Sequence, residues 1–257
     1  MLVLKLQDGI VYGPISSRRL GKSLGINLSL FPYKCCNFNC VYCQYGRTEE
    51  FCHPDDDRDY LSVDRISSEV AKYLAGIGEP RQYIDYITFS GNGEPTIHPD
   101  FPAIVDSIIT IRDEMVPNVP IALLSNGSML IKEEVRKAVS KLDLPIFKLD
   151  VGSEDLFKRL NRPAEFVDFE AIIDGLKYAS DFVIQSLFFY SEGVENTDDN
   201  NLSSYIEILK EIKPNGVQVY TIDRGTTEEG IKPASKKKLE KIVEMLKKQA
   251  NINAVLY

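Results

Sequence analysis

The sequence predicts an α/β fold: an open, partial (β/α)6 barrel of the TIM type, its parallel sheet covered by helices. Three observations carry that expectation. Short apolar, β-branched runs alternate six times with longer stretches of helical period. Such alternation gives parallel strands with helices laid over them. A closed eight-unit barrel uses about 250 residues for its units alone, and this 257-residue chain spends residues 44–61 on a long loop.

The strands are read at 25–31, 86–90, 121–125, 146–151, 182–189 and 217–222, each a short apolar run rich in β-branched residues. The helices between and after them fall at 63–75, 101–113, 132–141, 169–179, 202–212 and 235–249. Ser62, Asp100, Asp168 and Ser235 stand just before four of these and offer a side-chain oxygen to the free N–H groups of the first turn. There is no linker and no low-complexity tract, so residues 1–257 read as one domain. Within it, 1–24 form an N-terminal extension, 25–250 the partial barrel and 251–257 a tail, whose last residues either add an edge strand or pack against the body.

Composition narrows the class. With 44% hydrophobic and 26% charged residues the chain is an ordinary globular one, able to bury a core without disulfide staples. No apolar run reaches the ~18 residues of a membrane span, and the start, MLVLKLQDGIVYG, lacks the features of a signal peptide. A cytoplasmic protein with no membrane partner is the expectation. A net charge of −8 argues against a protein wrapped in nucleic acid. Local basic groups remain: Arg18, Arg19 and Lys22 near the start, and Lys236, Lys237, Lys238 and Lys241 on what reads as a solvated helix face.

All five cysteines lie between Cys35 and Cys52. A secreted disulfide framework would spread them, so the cluster reads as a metal site. Cys36, Cys40 and Cys43 have C-x3-C-x2-C spacing. Three thiolates on a tight loop hold three irons of a [4Fe–4S] cube and leave the fourth open to a small molecule. Two other readings stand beside this one. A structural zinc would take its fourth ligand from Cys52 or His53. Cys35, Cys40, Cys43 and Cys52 would make the C-x4-C-x2-C set of a plant-type ferredoxin, and so an electron-transfer protein.

Ligands of parallel architectures bind at the carboxyl ends of the strands, and the unusual residues fall there. Ser90-Gly91-Asn92-Gly93-Glu94-Pro95 follows the second strand, its glycines permitting close approach to a ligand and Glu94 able to accept bonds from an ammonium group. Ser125-Asn126-Gly127 follows the third. An ordinary turn explains either segment on local grounds alone. Asp150, Gln185 and Ser186 interrupt apolar strands and so face something polar. Lys148 and Arg224, on the fourth strand and after the sixth, point toward the expected cavity. An Arg there suits a carboxylate or phosphate, and an ion pair at the rim is the alternative. His98 reads as loop packing and His53 as a solvated loop residue.

These residues together make the sequence resemble the radical S-adenosylmethionine (SAM) superfamily. The resemblance implies a [4Fe–4S] cluster on Cys36, Cys40 and Cys43 with SAM on the open iron. It also implies one-electron cleavage to a 5′-deoxyadenosyl radical that abstracts hydrogen, an oxidoreductase chemistry. It places Tyr42, just before the third cysteine, near the adenine. Gly91, Asn92, Gly93 and Glu94 then fall on the methionyl part, Ser125 and Asn126 on the ribose or carboxylate, and Asp150 and Gln185 toward the ribose or substrate.

Further segments, at 11–21, 23–27, 43–48, 159–163 and 221–224, look like the wyosine-synthase-related group of that superfamily and extend the resemblance over most of the chain. Members of that group build a tricyclic tRNA base from pyruvate carbons and N-methylguanosine, with a second cluster on three further cysteines and a lysine on pyruvate. This chain departs from them: only Cys35 and Cys52 remain outside the first triad, and the acidic charge fits tRNA poorly. The expectation is therefore a radical SAM enzyme reduced by a flavodoxin or ferredoxin, with Lys148 and Arg224 at a substrate that the sequence does not identify. A tRNA-modifying enzyme and an iron–sulfur electron carrier are the alternatives.

Overall fold

The computed structural model describes residues 3–78, 84–192 and 194–257. Its main sheet runs in the order β1 (Val11–Ser17), β2 (Gly21–Ile26), β3 (Tyr86–Phe89), β4 (Ile121–Ser125), β5 (Leu144–Lys148), β6 (Val183–Leu187), β8 (Gly216–Tyr220) and β10 (Ala254–Leu256). Within this sheet, among the described residues, only β1 and β2 pair antiparallel; every later neighbour is parallel. A two-stranded ribbon of β7 (Phe189–Tyr190) and β9 (Lys232–Pro233) stands apart. The helices are α1 (Val63–Gly76), α2 (Phe101–Met115), α3 (Glu133–Val139), α4 (Glu154–Leu160), α5 (Phe169–Lys177), α6 (Asp199–Ile212) and α7 (Lys236–Ala250). The open α/β barrel expected from the sequence is the observed architecture.

Two details differ, and one open alternative is decided. The first barrel strand ends at Ile26, so most of the expected run 25–31 leaves the sheet. There Asn27 donates its backbone N–H to the Ile10 carbonyl, and its side-chain oxygen accepts from Asn92 and Ser29. The N-terminal extension supplies β1, which with β2 makes a hairpin at one sheet edge. The C-terminal segment takes the edge-strand alternative, pairing Ala254–Leu256 with β8.

Strand periodicity explains how the sheet carries a site. Successive side chains point to opposite faces. Leu24, Ile26, Ile87 and Phe89 are fully buried and belong to the main core with the helices. The alternate positions face inward and split in two. Near the strand starts, Leu20, Ala122 and Ile146 form a small separate apolar plug. Nearer the carboxyl ends the same face turns polar, with Ser23 bonded to Thr88 at 2.7 Å and Gln185 donating to Gln218 at 3.0 Å.

The helices are fixed by their caps and apolar stripes. Ser62, Asp168 and Ser235 accept from Arg65, Ala171 and Lys238 backbone N–H groups as expected. Asp100 does not: its side chain makes no capping bond, and its own N–H donates to His98 Nδ1 at 3.1 Å. No helix among the described residues is long and apolar enough to cross a membrane.

Candidate active site

Residues 35–52 form the loop after β2 that carries every cysteine. Cys36, Cys40 and Cys43 are free and half-buried, whereas Cys35 and Cys52 are bonded to each other. That pairing takes two ligands from the ferredoxin-type set and Cys52 from a zinc site. The loop is fixed mainly by backbone. Cys43 N–H donates to the Cys40 carbonyl, and Cys52 N–H to the Cys36 carbonyl. Lys34, almost wholly buried, donates to the Gly46 carbonyl at 2.6 Å.

The cysteine loop is stitched to the loop after β3. Cys35 N–H donates to the Asn92 carbonyl and Glu94 N–H to the Cys35 carbonyl, each at 2.9 Å, forming a parallel bridge between Cys35 and Gly93. Gly93 has φ of +149°, and a Cβ there would lie 1.7 Å from the Cys35 carbonyl oxygen. Only glycine fits that contact. Gly91 is similarly placed, with φ of +135° and the Asn27 side chain where a Cβ would go.

Glu94 joins this loop to the one after β4. Its Oε1 accepts from the Thr96 N–H at 3.1 Å, the Thr96 hydroxyl at 2.6 Å and the Ser125 hydroxyl at 2.8 Å; its Oε2 accepts from the Asn126 N–H at 2.7 Å. Burial pushes the Glu94 carboxyl above the ordinary range, and these bonds only partly restrain it. Asn126 Nδ2 donates to Asn37 Oδ1 at 2.8 Å, which closes the circuit back to the cysteine loop. The structure thus brings Gly91, Gly93, Glu94, Ser125 and Asn126 to one rim. The Asn92 side chain accepts from the Gln7 N–H and donates to the Gln7 and Ser29 carbonyls, tying this loop to the N-terminal segment.

A second polar group lies deeper, between β5, β6 and β8. Asp150 is buried; its Oδ1 accepts from Lys148 Nζ at 2.7 Å and from the Leu187 N–H at 2.7 Å, and its Oδ2 from the Tyr42 hydroxyl. Lys148 also donates to the Tyr220 hydroxyl at 3.0 Å. Burial works against the Lys148 ammonium, but Asp150 and Tyr220 outweigh it and hold its pKa above the ordinary lysine value. Burial, reinforced by the Asp150 charge, keeps the Tyr42 hydroxyl protonated. Gln185 pairs with Lys148 in the sheet register. Ser186 finds its polar partners within the protein, bonding the Leu149 carbonyl and the Tyr205 hydroxyl of α6, on the helix side of the sheet. Arg224 is exposed, and among the described residues no bond joins it to the Lys148 group.

Sequence reasoning missed Asn161, at the end of α4. Its Nδ2 donates to Cys40 Sγ at 3.4 Å and to the Tyr42 hydroxyl at 3.0 Å, while its carbonyl accepts from the Asn39 N–H. The run Arg159-Leu160-Asn161-Arg162-Pro163 was the available signal. It also missed Asn196, whose amide donates to the Asp150 and Leu187 carbonyls and whose oxygen accepts from the Phe189 N–H. No local pattern marks that residue.

A cavity of about 600 Å³ opens between the hairpin and this rim, reaching Ser90, Gly91 and Gly93 on one side and Gln44 and Tyr45, next to Cys43, on another. A family model described as the Radical SAM superfamily matches residues 30–191, a span containing the three free cysteines, both rim loops and the Asp150 group.

The chain belongs to the radical SAM superfamily. It is 33% identical over 242 residues to the UPF0026 protein MJ1312 of Methanocaldococcus jannaschii, covering 92% of this chain and 70% of that protein. It is 35% identical over 242 residues to a Brachyspira hyodysenteriae protein named GTPase Obg, covering 92% of this chain but only 33% of that one. The chain therefore spans about a third of the length of this second relative. Similar solved structures include TYW1 with a lysine-pyruvate adduct bound, with a TM-score of 0.66 at 14% identity over 89% of this chain and 74% of that one. Streptococcus suis SuiB bound to S-adenosylmethionine gives 0.60 at 16% identity, over 88% and 49%. At these identities they share the fold.

The superfamily implies a [4Fe–4S] cluster and SAM, and the residues at the rim fit both by chemistry. Among the described residues no three His, Cys, Asp or Glu side chains are already drawn around a common point. The donor set is nonetheless all thiol on one short loop, the soft chemistry of iron–sulfur ligation. Burial pushes the Cys36 thiol up, and the Cys40 thiol to about 11, so in the bare loop both are neutral. Metal ligation deprotonates such thiols.

Proposed function

We propose that this radical SAM chain binds a [4Fe–4S] cluster through Cys36, Cys40 and Cys43 and acts as a SAM-dependent hydrogen-abstracting enzyme. The observation that carries the reading is the Cys35–Gly93 bridge, which docks the three free thiols beside a glycine–glutamate rim and a cavity of about 600 Å³. When bound, the cluster and SAM supply one-electron cleavage of the sulfonium and a primary carbon radical.

The protein's own part is placement and exclusion of water. Gly91 and Gly93 present backbone without side chains at the methionyl end. Glu94 holds the loops after β3 and β4 at a fixed spacing, so that Ser125 and Asn126 face the remainder of the cofactor. Tyr42, with its hydroxyl held by Asp150, offers an aromatic face toward the adenine, with Gln185 beside it. Lys148 is a positioning residue: its ammonium fixes Asp150 and Tyr220 and is not a free amine. The reductant is a flavodoxin- or ferredoxin-type protein, and the setting is cytoplasmic.

Anaerobic reconstitution should load about four irons per chain, and dithionite plus SAM should release 5′-deoxyadenosine. C36A, C40A and C43A should each abolish that release. A C36A protein that still cleaves SAM, or wild type with full iron that never does, would overturn the reading.

A further inference from the structure

The cavity has a charge that SAM does not account for. The chain carries −8 overall, yet the charged side chains lining this cavity are Arg18, Arg19 and Arg224 against one carboxylate, Asp223. Arg18 is spent on Asp223 at 2.6 Å, an ion pair that ties the hairpin turn to the segment after β8. Arg19 and Arg224 have no hydrogen bond or ion pair from their guanidinium groups among the described residues. Arg19 lies over the Tyr220 ring, 4.5 Å from its centroid. Arg65 shares this unpaired condition, but lines a different cavity. In an acidic protein, two guanidiniums without protein acceptors in one concave site make a local positive field that favours an anionic ligand. SAM carries a sulfonium and an ammonium against a single carboxylate, so it adds positive charge to this cavity.

We infer that Arg19 and Arg224 form an anion clamp that binds a small substrate by a carboxylate or phosphate group, at the hairpin end of the cavity. Assignment of that anion as the substrate rests on the radical SAM reading; the clamp itself does not. Both side chains line the same cavity. Arg19 is fixed from below by Tyr220, which Lys148 bonds in turn. Arg18, paired with Asp223, holds the two arms together. Planar guanidiniums in such a frame take bidentate oxygens. The volume falls in the range of small-molecule sites, roughly 300–1,000 Å³.

The test is calorimetric titration of the anaerobically reconstituted protein with inorganic phosphate and, separately, malonate. Wild type should bind one equivalent of at least one of them. R19Q and R224Q should each weaken it by roughly 10-fold or more, and R65Q should leave it unchanged. Preference for phosphate or for malonate supports the clamp and says which headgroup it takes. No saturable binding, or binding indifferent to both substitutions, overturns it. So does bulk tRNA that displaces phosphate and is itself lost in R19Q, since the site would then serve an RNA backbone. The radical reading fails separately: release of 5′-deoxyadenosine without anion binding sinks only the clamp, whereas anion binding without release supports the clamp and sinks only the radical reading.

Discussion

Glu94 and Asp150 are both buried carboxylates near the carboxyl end of the sheet, and they are held in opposite ways. Glu94 receives only neutral donors: two backbone N–H groups and two hydroxyls, all from residues of the rim loops. Asp150 receives a lysine ammonium, a tyrosine hydroxyl and one backbone N–H. The difference separates a frame from a relay. Glu94 acts as a bracket whose partners belong to the two turns it joins. The Asp150 group leads outward through Lys148 and Tyr220 to Arg19 at the cavity wall. A carboxylate held by dipoles keeps loops in register; the one held by a cation connects the sheet interior to the cavity wall.

The largest effect should come from breaking the charged pair. Lys148→Met leaves Asp150 buried and uncompensated, with its side chain 0% exposed, and should cost about 3–5 kcal/mol in urea unfolding. Lys148→Met combined with Asp150→Asn should recover much of that loss, because the stranded charge is gone. At Glu94 the matching change is Ser125→Ala, which removes one neutral donor and leaves three. It should cost about 1–3 kcal/mol, less than Lys148→Met. If Ser125→Ala proved the more damaging, the distinction between frame and relay would be wrong.

Much of this was legible because local chemistry and topology agree. The rule that ligands sit after parallel strands singles out the three cysteines, the Gly91–Glu94 turn and the Ser125–Asn126 turn from the sequence alone. Strand positions were readable for the same reason, though ends drifted where apolar residues continue into loops, as at Leu28 and Leu30. The N-terminal hairpin was not readable: β1 contains Gly13 and Pro14 and a register shift between Tyr12 and Ile15, so it presents no clean alternation. Helix α4 is only seven residues long and shows too little periodicity to stand out. The contacts of the site's asparagines were hidden for another reason. Asn126 meets Asn37 across 89 residues and Asn161 meets Cys40 across 121, distances at which pairing leaves no spacing pattern. The ion pair that ties the hairpin turn to the segment after β8 shares that property, as Arg18 meets Asp223 across 205.

The smallest effect is also the most specific, because two neighbours in one loop should respond to pH with opposite sign. Glu94 has its pKa raised from the ordinary 4.5 by burial, so the unfolded chain loses this proton first. Its contribution to stability is complete below 4.5 and declines as pH rises toward the folded value. His98 has its pKa lowered from the ordinary 6.5, again by burial. Its Nδ1 accepts from the Asp100 N–H at 3.1 Å, so the proton sits on Nε2, which donates to the Leu61 carbonyl at 2.9 Å. The unfolded chain takes up a proton here before the folded one does, so this contribution is complete above 6.5 and is lost as pH falls. Between those two ordinary values the slopes oppose each other. Urea midpoints across that window should rise more steeply with pH in Glu94→Gln than in wild type, and less steeply in His98→Gln. A Glu94→Gln profile parallel to wild type would mean that the bracket carries no burial cost, and that neutral donors satisfy its charge as fully as Lys148 satisfies that of Asp150.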